Sequence, residues 1–274
     1  MSKLSAQNVK RRTRPRWLSL LAGILAYASY AIGSAGVIAI FSIVRFAPRM
    51  SVATRTRVLE SVFRGFLRSF TQRWLPLLGV YTIDEISGDT RENDGPVIYV
   101  ANHTGRLDGP ILLGILKNTS AIMKERYAAI LPYSFFIRTM NFIKINPHSL
   151  QALDQCIVAC RAAISDGRNL LIFPEGARST SRTLLPFRDL AFHIAVTLDL
   201  PIVPVVIRTD IPFMTRVKGS HFPRQRFGYR IRFLPGEKPR PGESASAVSD
   251  RIRKRMIEQY RALNATSDQE ETAS

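Results

Sequence analysis

Pro96-Val97-Ile98-Tyr99-Val100-Ala101, running into Asn102-His103-Thr104-Gly105-Arg106-Leu107-Asp108, decides the fold class. The first half is short, apolar and bounded by proline, which reads as a buried strand; the polar half is the loop that leaves its carboxyl end. A second stretch repeats the arrangement, with Asn169-Leu170-Leu171-Ile172-Phe173 delivering Pro174-Glu175-Gly176-Ala177-Arg178-Ser179. In open α/β sheets, ligands collect where strands end in this sense. Beyond Gly79 the chain keeps alternating, with further strands near 120–124, 141–145, 202–207 and 228–234. Helices fill the intervals to about Leu116 and over 127–139, 150–166 (capped by Ser149) and 243–262. The expectation is an α/β domain, a mixed sheet flanked by helices.

The two loops together offer a base, an acid to orient it and an anion clamp. Histidine exchanges protons near neutral pH, and His103 is the histidine of the first loop. Asp108 follows five positions later. On one continuous helix that offset is about 140° at roughly 100° per residue, so a turn must intervene, and Gly105 supplies it. The competing reading makes Asp108 only the cap of the helix beginning at Gly109-Pro110. Arg178 has the planar fork that grips a carboxylate or phosphate bidentately. Its competing reading is an exposed pair with Glu175, worth little.

His103, four residues, Asp108, preceded by Asn102, resembles the glycerolipid acyltransferase superfamily, specifically its lysophosphatidic acid (1-acylglycerol-3-phosphate) acyltransferase branch. The Phe-Pro-Glu-Gly-Thr-Arg-Ser block of that branch is matched at 173–179 except for Ala177, and its proline-rich apolar block by Pro201-Ile202-Val203-Pro204-Val205-Val206. The likeness extends over roughly residues 80–240. It implies transfer of a fatty acyl group to a lysophospholipid hydroxyl, from acyl-CoA or acyl carrier protein as co-substrate, with neither a cofactor nor a metal. By resemblance His103 and Asp108 are catalytic, while Glu175, Gly176 and Arg178 bind the acceptor phosphate. Two departures bear on the head group: Lys144, in Asn141-Phe142-Ile143-Lys144-Ile145-Asn146-Pro147, stands where the family has arginine, and Leu190 stands where it favours glycine. Lys144 is therefore the further substrate-binding candidate, and other lysolipid acceptors become alternatives.

Lys and Arg outnumber Asp and Glu by 39 to 21, a formal charge of +18. Such an excess draws polyanions: nucleic acid, anionic lipid, coenzyme A or an acidic carrier protein. The N-terminal segment chooses among them. Trp17 to Val44 carries no charge, longer than the roughly 20 residues that span a bilayer, with Lys10 to Arg16 before it and Arg45, Arg49, Arg55 and Arg57 after. Two positive flanks fit one cytoplasmic face if the segment turns back near Gly33 and Gly36, and a single span otherwise. Residues 51–78 are amphipathic, with Val58, Leu59, Val62, Phe63, Phe66, Leu67, Phe70 and Trp74 on one side and arginines opposite, which suits the lipid interface.

The expected organisation is a membrane anchor and interfacial helix at 1–79, the α/β acyltransferase domain at 80–262 facing the cytoplasm, and a disordered polar tail at 263–274. Nucleic acid is excluded as partner, since neither zinc-finger spacing nor an aromatic ribonucleoprotein motif occurs. A serine hydrolase is disfavoured by the lack of Gly-x-Ser-x-Gly. A catalytically silent lipid-binding protein is the remaining rival. Cys156 and Cys160, two cysteines in all, exclude a disulfide framework and read as buried thiols.

Overall fold

The computed structural model describes residues 14–273 apart from 48–49, 89–94, 130–132, 147–149, 180–182, 212, 216–220, 222–223 and 225–226. Ser149 and the basic arm up to Thr13 lie outside the described residues. The chain opens with α1 (Arg16–Arg45) and α2 (Val52–Ser69), continued by a π-helical turn and a short α3 (Leu75–Leu77). Then follow β1 (Thr82–Ser87), β2 (Ile98–Ala101), α4 (Asp108–Ile115), β3 (Thr119–Lys124), a 3-10 turn at Glu125–Ala129, and α5 (Tyr133–Thr139). The second half holds β4 (Ile143–Ile145), α6 (Leu150–Ser165), β5 (Asn169–Ile172), α7 (Leu190–Leu198), β6 (Ile202–Thr209), β7 (Gly228–Phe233) and α8 (Ala245–Ala273).

The strands form one sheet in the order β1-β7-β6-β2-β5-β3-β4. Among the described strands only β6 and β7 pair antiparallel. β2 lies between β5 and β6, and all four of its residues are buried. A strand covered on both faces needs no polar side, which is why this one reads as an unbroken apolar run. Alternation divides it: Tyr99 and Ala101 join the core under α1, α2, α4 and α5, whereas Ile98 and Val100 join the core under α6, α7 and α8. Cys156 and Cys160 are buried thiols in the second core.

β1 escapes the sequence reading. It is an edge strand whose exposure alternates, Thr82-Ile83-Asp84-Glu85-Ile86-Ser87, and its polar side masks the pattern. The helix expected over 127–139 is two pieces, the 3-10 turn and α5, with Pro132 in the sequence between them, where a missing N–H interrupts a helix. The tail expected to be disordered continues α8 through Ala273; residues 264–273 contain no glycine or proline to stop it.

α1 is a single unbroken helix, long and apolar enough to cross a membrane. No turn forms at Gly33 or Gly36. Gly33 instead admits the Phe66 ring, which would stand 2.4 Å from an added Cβ. Both ends of α1 are held to the domain. Arg14 donates to the Gly79 carbonyl at 2.6 Å, and Phe41 is buried against Phe135 and Phe136. Trp17, Ile24, Ile32, Ile43 and Phe46 stay exposed along the outer side.

Much of the apolar face of residues 51–78 packs on protein, while Val52, Trp74 and Leu77 stay exposed. Leu59, Phe63 and Leu67 of α2 are buried, Phe63 lies 4.8 Å from the Phe136 ring, and Gly114 of α4 passes so close that a Cβ would meet the Arg68 backbone at 2.9 Å. An apolar helical face says that something covers it, not what. An ion pair from Glu60 to the buried Arg168 fastens the polar side of α2 to the amino end of β5.

Candidate active site

Both loops leave the carboxyl ends of adjacent strands, β2 and β5, and meet. Asn102 sets the first. Its side chain donates to the Ile207 carbonyl at 2.8 Å and accepts from the Ile207 amide at 2.7 Å, so the chain leaves β2 locked to β6. Asp108, fully buried at the start of α4, aims its carboxylate backward. Oδ2 accepts from the amides of Thr104 at 2.5 Å and Gly105 at 2.8 Å and lies 2.8 Å from His103 Nδ1; Oδ1 accepts from the Thr104 hydroxyl at 3.1 Å. The cap reading of Asp108 is thereby replaced: it ties up the turn before the helix. Gly105 is needed for a different reason from the one expected. Its backbone is unstrained, but a Cβ would come 2.5 Å from the Phe213 carbonyl oxygen.

An ionised carboxylate only accepts, so His103 Nδ1 carries the proton and donates, which leaves Nε2 as a lone-pair acceptor. The ring stacks on Phe173 with centroids 4.4 Å apart, and the side chain keeps 21% of its surface exposed.

The second loop supports the first. Glu175 is buried, with Oε1 accepting from the His103 amide at 3.0 Å and Oε2 from the Leu185 amide at 3.1 Å. Burial pushes its carboxyl up to about 7 even though those amides favour the anion. The Ser179 amide donates to the His103 carbonyl at 2.8 Å. Glu175 was expected at the acceptor phosphate; the structure occupies both its oxygens with backbone and makes it the brace beneath His103. The Thr104 and Gly105 amides are likewise occupied, both donating to Asp108.

Gly176 turns with φ +60°, a left-handed conformation that favours glycine, and a Cβ there would stand 3.0 Å from Arg188 Nε. Its carbonyl accepts from Lys124 Nζ at 2.6 Å. Lys124, the last residue of β3, went unnoticed in the sequence, although it ends a strand at the same edge as both loops. Lys144 is exposed on edge strand β4, in register with Met123. It is one step out of phase with Lys124 and so leaves the sheet on the opposite face. Tyr127, in the 3-10 turn after β3, lies within reach of the charges of Arg126, Arg178 and Lys124. Burial raises the Tyr127 phenol, but hydrogen bonding from Arg126 and the charges of Arg126, Arg178 and Lys124 outweigh it and hold the phenol below its ordinary value.

The acyltransferase family model matches residues 84–208, just under half of the chain, a span that contains both loops and strands β2 to β5. That stretch is similar to an acyltransferase domain. The curated relatives that the chain resembles carry the name 1-acyl-sn-glycerol-3-phosphate acyltransferase. A Caenorhabditis elegans protein named putative 1-acyl-sn-glycerol-3-phosphate acyltransferase acl-2 is 28% identical over 72% of this chain and 70% of its own length. The bovine 1-acyl-sn-glycerol-3-phosphate acyltransferase alpha is 26% identical over 62% of this chain and 59% of its own. The Salmonella typhimurium 1-acyl-sn-glycerol-3-phosphate acyltransferase is 30% identical over 49% and 56%. The chain thus spans little more than half the length of several of the curated relatives it matches. Its fold is that of the crystal structure of the 1-acyl-sn-glycerophosphate acyltransferase PlsC from Thermotoga maritima, with a TM-score of 0.76 at 19% identity, covering 92% of this chain and 98% of the other.

Proposed function

We propose that this protein is an acyltransferase that moves a fatty acyl group from a thioester donor, acyl-CoA or acyl carrier protein, to the hydroxyl of a lysophospholipid, with 1-acylglycerol-3-phosphate as acceptor and phosphatidic acid as product. The observation that carries the reading is the His103–Asp108 contact, which leaves Nε2 as the acceptor of a ring set where two loops join. Nε2 takes the proton of the acceptor hydroxyl as its oxygen attacks the thioester carbonyl carbon. Asp108 holds the ring and stabilises the imidazolium that forms. Collapse of the tetrahedral intermediate breaks the carbon–sulfur bond, and the imidazolium returns its proton to the departing thiolate. Arg178 and Lys124 attract the acceptor phosphate. The measurement that tests the whole reading is turnover of labelled lysolipids with both donor types; a wild-type protein inert toward every combination overturns it.

Arg178→Ala is expected to lower kcat/KM on 1-acylglycerol-3-phosphate by about 10- to 150-fold, the worth of hydrogen bonds to a charged group. Lysine restores the charge without the two-pronged contact and rescues only in part. Equal losses on an acceptor lacking a phosphomonoester would assign Arg178 to structure or to the donor.

The reading extends to the membrane. α1 beds its exposed apolar side in the bilayer while both of its ends remain with the domain, an arrangement that keeps both basic flanks on one face, the cytoplasmic face where either donor is found. Attachment of this kind is apolar and unscreened by salt. Full-length protein is therefore expected to remain in the membrane fraction through a high-salt wash, and release by salt alone would show that charge is the anchor.

A further inference from the structure

We infer that the cavity beside the polar stripe of α2 is a second lipid site, which takes the head group of an anionic bilayer phospholipid at the end of the sheet opposite His103. The inference rests on the membrane reading above, which brings bilayer lipid to the rim of the cavity. Its volume is about 880 Å³, within the roughly 300–1,000 Å³ of sites that hold small molecules. Lys117, Asn118 and Thr119 border it where β3 begins, Asn141 and Phe142 ahead of β4, and Asp166 and Arg168 ahead of β5. These strands run parallel, so the cavity lies at their amino ends, whereas the loops of His103 and Glu175 leave carboxyl ends.

The cavity has walls of two kinds. Ala53, Thr56, Arg57, Glu60, Ser61 and Arg64 recur at helical spacing and form one stripe of α2. Phe63, Leu113, Leu116, Met140 and Phe142 supply apolar surface. A polar stripe on a surface helix ordinarily faces water, so the ordinary reading is a solvent-filled groove. That accounts for the arginines but not for the apolar surface left beside them. The lining carries four cations, Arg57, Arg64, Lys117 and Arg168, against two acids, Glu60 and Asp166. One pair cancels within the wall: the buried Arg168 is ion-paired with Glu60 and donates also to the Ser120 hydroxyl at 2.7 Å and the Met140 carbonyl at 3.2 Å. Arg57 and Arg64 make no hydrogen bond or ion pair among the described residues.

The ligand that satisfies both walls is an amphiphile with a negative head. A bare anion would leave the apolar surface uncovered, and a zwitterionic head group would carry a cation into a rim already in positive excess. Position makes the ligand a bilayer lipid. Val52 lines the cavity and opens α2 shortly after α1 ends at Arg45, and Ile43, Phe46 and Val52 are all exposed. A lipid beside the carboxyl end of α1 can therefore set its phosphate against Arg57 and Arg64 and its glycerol and upper chains against the apolar wall.

The test follows the melting temperature of full-length, detergent-purified protein during titration with dihexanoylphosphatidylglycerol, which is neither acceptor nor product in the proposed reaction. A ligand of the folded chain raises that temperature as its concentration rises. Wild type should be stabilised by this lipid and not by dihexanoylphosphatidylcholine. Arg57→Gln/Arg64→Gln should melt near wild type without lipid and need about 10-fold more lipid, or more, for the same shift, as expected when charge-assisted hydrogen bonds are lost. Arg57→Lys/Arg64→Lys should fall between the two. Arg178→Ala should respond as wild type does; a loss there with none in the glutamine variant would place the lipid at the acceptor site and overturn the inference. Equal responses to the two lipids, or of wild type and the glutamine variant, overturn it as well. So does an equal response to glycerophosphoglycerol, the same head group without chains, which would mark a site for a soluble anion. If salt alone strips the full-length chain from membranes, the membrane reading fails by itself, and the phosphatidylglycerol titration still decides on the cavity.

Discussion

His103→Ala is expected to leave the protein folded while turnover falls by at least the roughly 10²- to 10⁴-fold that loss of a general base costs. The reason to expect an intact fold is local. The backbone of residue 103 is held from both sides, its amide by Glu175 and its carbonyl by the Ser179 amide, and alanine keeps both bonds. The ring itself contributes a stacking contact on Phe173 and the bond to Asp108, whose carboxylate retains the Thr104 and Gly105 amides when the ring is gone. The catalytic loss then comes from Nε2 alone. Steady-state turnover beside a thermal melt measures both halves of the claim, and near-normal turnover would sink the mechanism.

The parts of this molecule legible in the sequence are those whose signal is local. β2 and β5 declare themselves by short apolar runs, and the His103–Asp108 contact follows from a five-residue offset that only a turn can close. What stayed hidden depends on partners distant in sequence. Nothing in residues 51–78 distinguishes a lipid bilayer from α4 as the cover for Phe63 and Leu67, since both present the same apolar surface. Gly33 looks like a helix breaker until Phe66 is found lying across it. Glu175 sits beside Arg178 in a polar loop and so reads as a ligand contact. That its carboxylate is buried and spent on the amides of His103 and Leu185 requires knowing that β2 and β5 are neighbours. Lys124 was missed for the same reason: without the pairing of β3 with β5, nothing brings it to Gly176. β1 was missed on composition, because Asp84 and Glu85 conceal an edge strand.

Asp108 allows its two services, orientation and charge, to be taken apart. In Asp108→Ala both go: His103 Nδ1 loses its acceptor, and the Thr104 and Gly105 amides are left unpaired in a fully buried place, so the turn itself loosens. A loss toward the upper end of the roughly 10²- to 10⁴-fold range is expected, together with a lower melting temperature. Asp108→Asn is a finer test. The oxygen now at Oδ2 faces two backbone amides and His103 Nδ1, and three donors select the carbonyl oxygen of the new amide for that position. The NH₂ group then falls where Oδ1 was, next to the Thr104 hydroxyl, which can reverse its role and accept. Nδ1 therefore keeps an acceptor and His103 keeps its tautomer. Only the negative charge that stabilises the imidazolium is gone. The asparagine variant should melt near the wild-type temperature and lose on the order of 10²-fold in kcat, the lower end of the range, with little change in either KM. If asparagine and alanine instead lose the same factor, charge is the whole of the contribution of Asp108. If asparagine is as active as wild type, the imidazolium needs no counter-charge, and proton transfer to His103 cannot be the step that limits turnover.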